Sequence, residues 1–202
     1  MNMKILVTGF DPFGGESVNP AWKAVSRLPD RIGNAEITRL MIPTEFDHAP
    51  EKILALARTL HPDYIVSVGQ AAGRKAITPE RIAINLESAS IPDNAGFQPD
   101  EQPVVPGGPD GIFSLLPVKK MKEAIEAAGL PASVSNTAGT YVCNHVMYRI
   151  LYACHTELSG TKSGFIHVPC IPEQTESHPE WFSLPVEEIE RGLEATISVL
   201  AE

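Results

Sequence analysis

Cys143, one of three cysteines in the chain with Cys154 and Cys170, has the setting of a nucleophile. It falls where the small residues Ala138-Gly139-Thr140 give way to a segment of helical period opening at Val142. Unpaired N–H groups and the dipole at a helix start stabilise a thiolate and can lower its pKa below the free value of about 8.5. The slim residues ahead of it let a substrate carbonyl approach, and the same N–H groups could receive an oxyanion. A merely structural cysteine at a helix start is the other reading, and position alone leaves both open. Cys154 continues the apolar face of Val142, Val146, Met147, Ile150 and Leu151, so it reads as a small buried hydrophobe.

A thiol that attacks a carbonyl needs an imidazole to take and return its proton. His145 stands two residues from Cys143 on the same helix and therefore faces another side. His167, in FIHVP, stands at the carboxyl end of an apolar strand just before a proline, the edge where open α/β sheets place ligands. A histidine bonded to a backbone carbonyl there is the alternative. His48, His61, His155 and His178 fall on helices or beside prolines and read as surface residues. To orient the imidazole, Glu80 in GRKAITPERIAIN is the interesting carboxylate, because it follows a strand and a glycine-bearing loop onto the same sheet edge. A charge at a turn start, or a pair with Arg81, would explain Glu80 as well. Phe10 and Phe13 flank Asp11-Pro12 after the first strand, as core plugs or as walls of a small apolar pocket. That loop is not GxGxxG, and Asp11 would repel a phosphate. No Cys and His spacing fits a zinc site, and the chemistry calls for no cofactor.

The elements that must position these groups alternate. Residues 5–7, 64–68, 82–86, 132–134 and 165–168 are short apolar runs that read as strands buried on both faces, with 37–42 a further candidate. Between them, 20–28 after an Asn19 cap, 45–60 after Thr44, 117–128 before Gly129, 142–158 and 186–200 carry a helical period. The pattern predicts a three-layer α/β/α sandwich, one domain over residues 1–202 with a twisted, largely parallel, mixed sheet. Residues 89–111 hold five prolines and exceed an ordinary connection, so they read as a lid, a hairpin excursion or an interface.

The balance of the whole chain narrows the partners. A formal net charge of −9 over 202 residues argues against nucleic acid and anionic membranes. The apolar run at the N-terminus is too short for a signal peptide, and nothing later resembles a membrane span, so a cytoplasmic protein is expected. An odd number of sparse cysteines fits thiols in a reducing compartment.

Together, TGFDPFGG with Asn19-Pro20, GQAAGRKAITPERIAIN, IPDN, SNTAGTYVCNH and GFIHVPCIPEQ resemble the pyroglutamyl peptidase I family, in order and spacing, as far as about Gln174. The resemblance implies a cytoplasmic cysteine exopeptidase that removes N-terminal pyroglutamate from peptides, commonly as a homotetramer. It implies Cys143 as nucleophile, His167 as base and acid, and Glu80 as the group orienting the imidazole. The family's apolar pocket maps to Phe10, Phe13, Thr44, Ile91, Tyr141 and Val142, and its polar contacts to Asn19 and Gln70. Two positions depart from the pattern. Ser90 stands where the family carries an arginine near the oxyanion site, which leaves either backbone donors alone, with a reduced rate, or Arg74 or Arg81 as substitutes, and Tyr141 replaces a common phenylalanine. Two other readings carry their own tests: a nucleoside-phosphorylase-like transferase indifferent to thiol reagents, and a binding module that holds pyroglutamate without turnover.

Overall fold

In the computed structural model, which describes residues 3–176 and 178–201, the apolar run at 5–7 becomes the middle of β1 (Met3–Phe10). β3 (Ala35–Ile42) and β4 (Tyr64–Gln70) flank it in parallel, and β8 (Lys162–Val168) lies parallel to β4. Two short strands close the edges antiparallel, β2 (Arg31–Ile32) on β3 and β5 (Thr78–Pro79) on β8. The order is β2-β3-β1-β4-β8-β5.

Successive side chains of a strand point to opposite faces, so an unbroken apolar run must be covered on both. On one face Ile5, Val7, Val66, Val68 and Ile166 pack against α1 (Pro20–Val25), α3 (Val118–Ala127) and α5 (Val186–Leu200). On the other, Leu6, Ile65 and Phe165 meet α2 (His48–Leu60) and α4 (Val142–Thr156). The expected three-layer arrangement is what forms. Among the described residues, no helix is long and apolar enough to cross a membrane.

Two expected strands are corrected. Of residues 82–86, only β6 (Ile82–Ile84) is a strand, and it pairs with β7 (Gly111–Phe113) in a separate antiparallel ribbon. The Asn144 side chain accepts from the N–H of Ile84 and donates to the carbonyls of Ile84 and Leu86, so a helix side chain satisfies groups that a sheet neighbour would otherwise take. Residues 132–134 form no strand: isolated bridges, Ile77 with Ala132 and Glu80 with Ser135, tie that segment to β5 and its flanks. α2 also starts later than its periodicity suggests. The backbone N–H groups of Thr44 and Phe46 donate to the carboxylates of Asp11 and Asp93, which holds that stretch out of the helix.

Candidate active site

β4 and β8 reach the carboxyl edge together, with Gly69 opposite His167 in parallel register. Register partners in parallel strands share a face, and Phe165, two residues before His167, packs into the core under α4. His167 therefore faces the helix that Cys143 opens. A Cβ placed on Gly69 would stand 2.9 Å from the sulfur of Cys143 and 2.8 Å from the Phe165 ring. The sulfur thus lies over Gly69, the register partner of His167, in space that only glycine leaves free.

Glu80 reaches the same place from the opposite edge. β5 pairs Thr78 with His167, and the Glu80 N–H donates to the Phe165 carbonyl at 2.8 Å. Its carboxylate, fully buried, lies 2.7 Å from Nδ1 of His167. A carboxylate accepts, so Nδ1 carries the hydrogen and Nε2 is left as the basic nitrogen. The sequence offered alternatives for both residues, a histidine on a backbone carbonyl and a turn-start charge or Arg81 pair for Glu80; the side chains bond to each other.

Burial governs the electrostatics. It pushes the Cys143 thiol up to about 12, and the Glu80 charge adds to the rise, while Arg74 and the Cys143 backbone N–H act against it. This differs from the lowered pKa expected at a helix start, because desolvation outweighs the favourable groups. Cys143 nevertheless keeps partial surface exposure. Burial also pushes His167 below its ordinary value, more than the hydrogen bond to Glu80 raises it, and Arg74 adds to the lowering. The resting pair is a thiol and a neutral imidazole.

The expected pocket residues divide into two groups. Phe13 and Tyr141 meet at 6.3 Å between ring centroids, and the Tyr141 hydroxyl donates to the carbonyl of Pro92, next to the exposed Ile91. Phe10 is buried against Phe165, with centroids 6.2 Å apart. Gln70, at the end of β4, is half-buried and donates to the sulfur of Cys170. Phe13, Tyr141 and Ile91 thus lie together, and Gln70 follows Gly69, over which the Cys143 sulfur lies. Asn19, Thr44 and Val142 also serve the fold. Asn19 caps α1 through Ala21 and donates to the Asp11 carbonyl, Thr44 bonds Asp11 through its N–H and hydroxyl, and the Val142 side chain is wholly in the core.

Three features escaped the sequence reading. Phe46 is a hub of edge-to-face contacts with Phe97, Tyr141 and His145, at 5.7, 5.4 and 5.5 Å. His145, set aside as a partner for Cys143, forms a second buried imidazole–carboxylate pair with Glu87, which in turn bonds Gln102 of the long loop. Arg74, one of the two possible substitutes for the arginine missing at 90, has its terminal nitrogens engaged: they donate to Thr78, Glu80 and the Thr137 carbonyl. A glycine-bearing turn before Thr78 was the only available signal for it. Among the described residues, no group of three or more His, Cys, Asp or Glu could hold a metal.

Comparison with known proteins converges on one family. The model of the family described as pyroglutamyl peptidase matches residues 3–202. The pyrrolidone-carboxylate peptidase of Levilactobacillus brevis is 52% identical over 198 residues, 98% of this chain and 97% of that protein. That of Lactobacillus johnsonii is 50% identical over 200 residues, covering 99% and 93%. The crystal structure of pyroglutamyl peptidase I from Bacillus amyloliquefaciens superposes with a TM-score of 0.95 at 44% identity, over 98% of this chain and 97% of the other.

Proposed function

The chain belongs to the pyroglutamyl peptidase family, and from that membership and the geometry of its sheet edge we propose that it hydrolyses the N-terminal pyroglutamyl residue from peptides by way of a thioacyl-enzyme. Cys143 is the nucleophile, His167 the general base and acid, and Glu80 the group that fixes the imidazole. The observation that carries this reading is the buried 2.7 Å bond from His167 to Glu80, with His167 in direct register with Gly69, the strand residue over which the Cys143 sulfur lies.

Because the thiol and imidazole rest uncharged, the proton moves as the bond forms. Nε2 of His167 takes the Cys143 proton while sulfur adds to the pyroglutamyl carbonyl, and the first-turn N–H groups of α4, which have no intrahelical acceptors, receive the oxyanion. Glu80 stabilises the imidazolium. As the C–N bond breaks, Nε2 returns the proton to the departing amine. Water then attacks the thioester, His167 takes its proton, and pyroglutamate leaves as the proton returns to the thiol.

The lactam ring is compact and uncharged, so it suits an apolar wall such as Phe13, Tyr141 and Ile91 with a few donors and acceptors, Gln70 among them. Proline lacks the lactam carbonyl, so a buried donor that serves this carbonyl would be left unpaired at a cost of about 1–3 kcal/mol, which discriminates against proline. Asn19 and Thr44 act by holding the 9–15 loop. The whole chain is one catalytic unit working in the cytoplasm, where its three free cysteines stay reduced, and it assembles as a homotetramer.

Cys143→Ala should lower hydrolysis of a pyroglutamyl arylamide by at least about 10³-fold, with the fold retained. Undiminished turnover would remove the mechanism. Binding of pyroglutamate by the unaltered protein without any turnover would instead make it a binding module.

A further inference from the structure

Glu80 is a carboxylate with no exposed surface, and its two oxygens are unequally served. Oε1 receives both Nδ1 of His167 and Nη1 of Arg74, at 2.7 and 2.5 Å, while Oε2 has no partner. A buried carboxylate so sparsely bonded keeps its charge only if a cation lies against it. Arg74 is that cation, with about a quarter of its side chain exposed. It is aimed by the turn after β4, where its N–H donates to the Ala71 carbonyl and Gly73, at φ +83°, adopts a conformation other residues resist. Nη1 also donates to Thr78, opposite His167 on β5, and Nη2 donates to the carbonyl of Thr137, in the segment leading into Cys143. One guanidinium therefore touches the carrier of the acid and the approach to the nucleophile.

We infer that Arg74 is a positioning residue of this reaction: it neutralises Glu80, fixes it against His167 and ties it to the segment that presents Cys143. The inference rests on the proposed roles of Cys143, His167 and Glu80. Its electrostatic consequence has a definite sign. The charged groups that act on His167 are Glu80, from the end of β5, and Arg74, from the turn after β4; both also act on Cys143 from α4, and β4 presents only Gly69 at that register. Arg74 opposes a proton on the imidazole. Without it, His167 binds a proton at higher pH.

The test is the pH profile of kcat/KM for a pyroglutamyl arylamide with Arg74→Met and Arg74→Lys, and with Arg74→Gln should the Met variant not fold. Loss of the charge should cut kcat/KM at neutral pH about 10- to 100-fold and move the acid limb up by about one pH unit. Arg74→Lys should leave the limb where the unaltered enzyme has it. In a Glu80→Gln background, Arg74→Met should change the residual rate less than about threefold, because the two act as one unit. An acid limb that stays in place without the charge, or losses that multiply in the double variant, would overturn the assignment of Arg74. If Cys143→Ala keeps full activity, the proposed mechanism itself fails, a separate result.

Discussion

Cys143 sits under opposed influences, since the helix start, Arg74 and its own N–H favour the thiolate while burial and Glu80 favour the thiol, and the thiol wins at about 12. Alkylation should report this directly. The rate of Cys143 carboxamidomethylation by iodoacetamide in the free enzyme should keep climbing through pH 9, and a plateau reached below pH 7 would mean a preformed thiolate. Catalysis needs only the neutral imidazole, and burial holds His167 below 6.5. The acid limb of kcat/KM should accordingly lie below pH 6.5. Gly69 gives a steric test, because any Cβ there stands 2.9 Å from the sulfur. Gly69→Ala should destabilise by about 1–3 kcal/mol in denaturant melts and reduce kcat/KM at least tenfold, since the sulfur or the Phe165 ring must shift. Wild-type stability and rate in that variant would show that the sulfur lies elsewhere.

At the scale of elements, α1 and the loop before it are coupled through one side chain. Asn19 caps α1 and holds the Asp11 carbonyl, so Asn19→Ala should cost about 0.5–2 kcal/mol in thermal melts. A raised KM with no loss of stability would instead mark Asn19 as a substrate contact. This residue also shows what could be read without coordinates. The cap was legible, because Asn before Pro at a helix start has a local cause, and so was His167, because a buried run ending at His-Val-Pro must reach a sheet edge. Glu80 was legible as to edge from its own surroundings, and as to partner only through the family resemblance. Residues 132–134 misled, since their composition suits a strand while the edge beside β8 is already taken by β5. Residues 82–86 misled because Asn144, sixty positions away, supplies their hydrogen bonds. Phe46 and the His145–Glu87 pair stayed hidden for the same reason: each acts through a side chain distant in sequence. Arg74 stayed hidden although Thr78 and Glu80 are near it in sequence, because a turn and not a regular element aims it.

At the scale of the molecule, burial of titratable groups shapes stability against pH. His167 is held below its ordinary 6.5, so as pH falls through that value the unfolded chain takes up a proton that the folded one refuses, and stability declines. Cys143 and Cys154 are both pushed from 9.0 up to about 12 by burial. Above pH 9 the unfolded chain releases those protons first, so stability declines again. Calorimetric melting temperatures should therefore hold level between about pH 6.5 and 9 and fall on the alkaline side less steeply in a Cys143→Ala/Cys154→Ala variant. An identical alkaline slope would separate this loss from the thiols. The strand order carries a further consequence. Among the described strands β5 pairs only with β8, so although Ser135 bridges Glu80 from the other side, the acid meets its imidazole only after residues some eighty positions later have been made. A chain leaving the ribosome accordingly carries its sulfur and its acid as strangers, and the ability to cut peptides switches on only when the last parallel strand slots home.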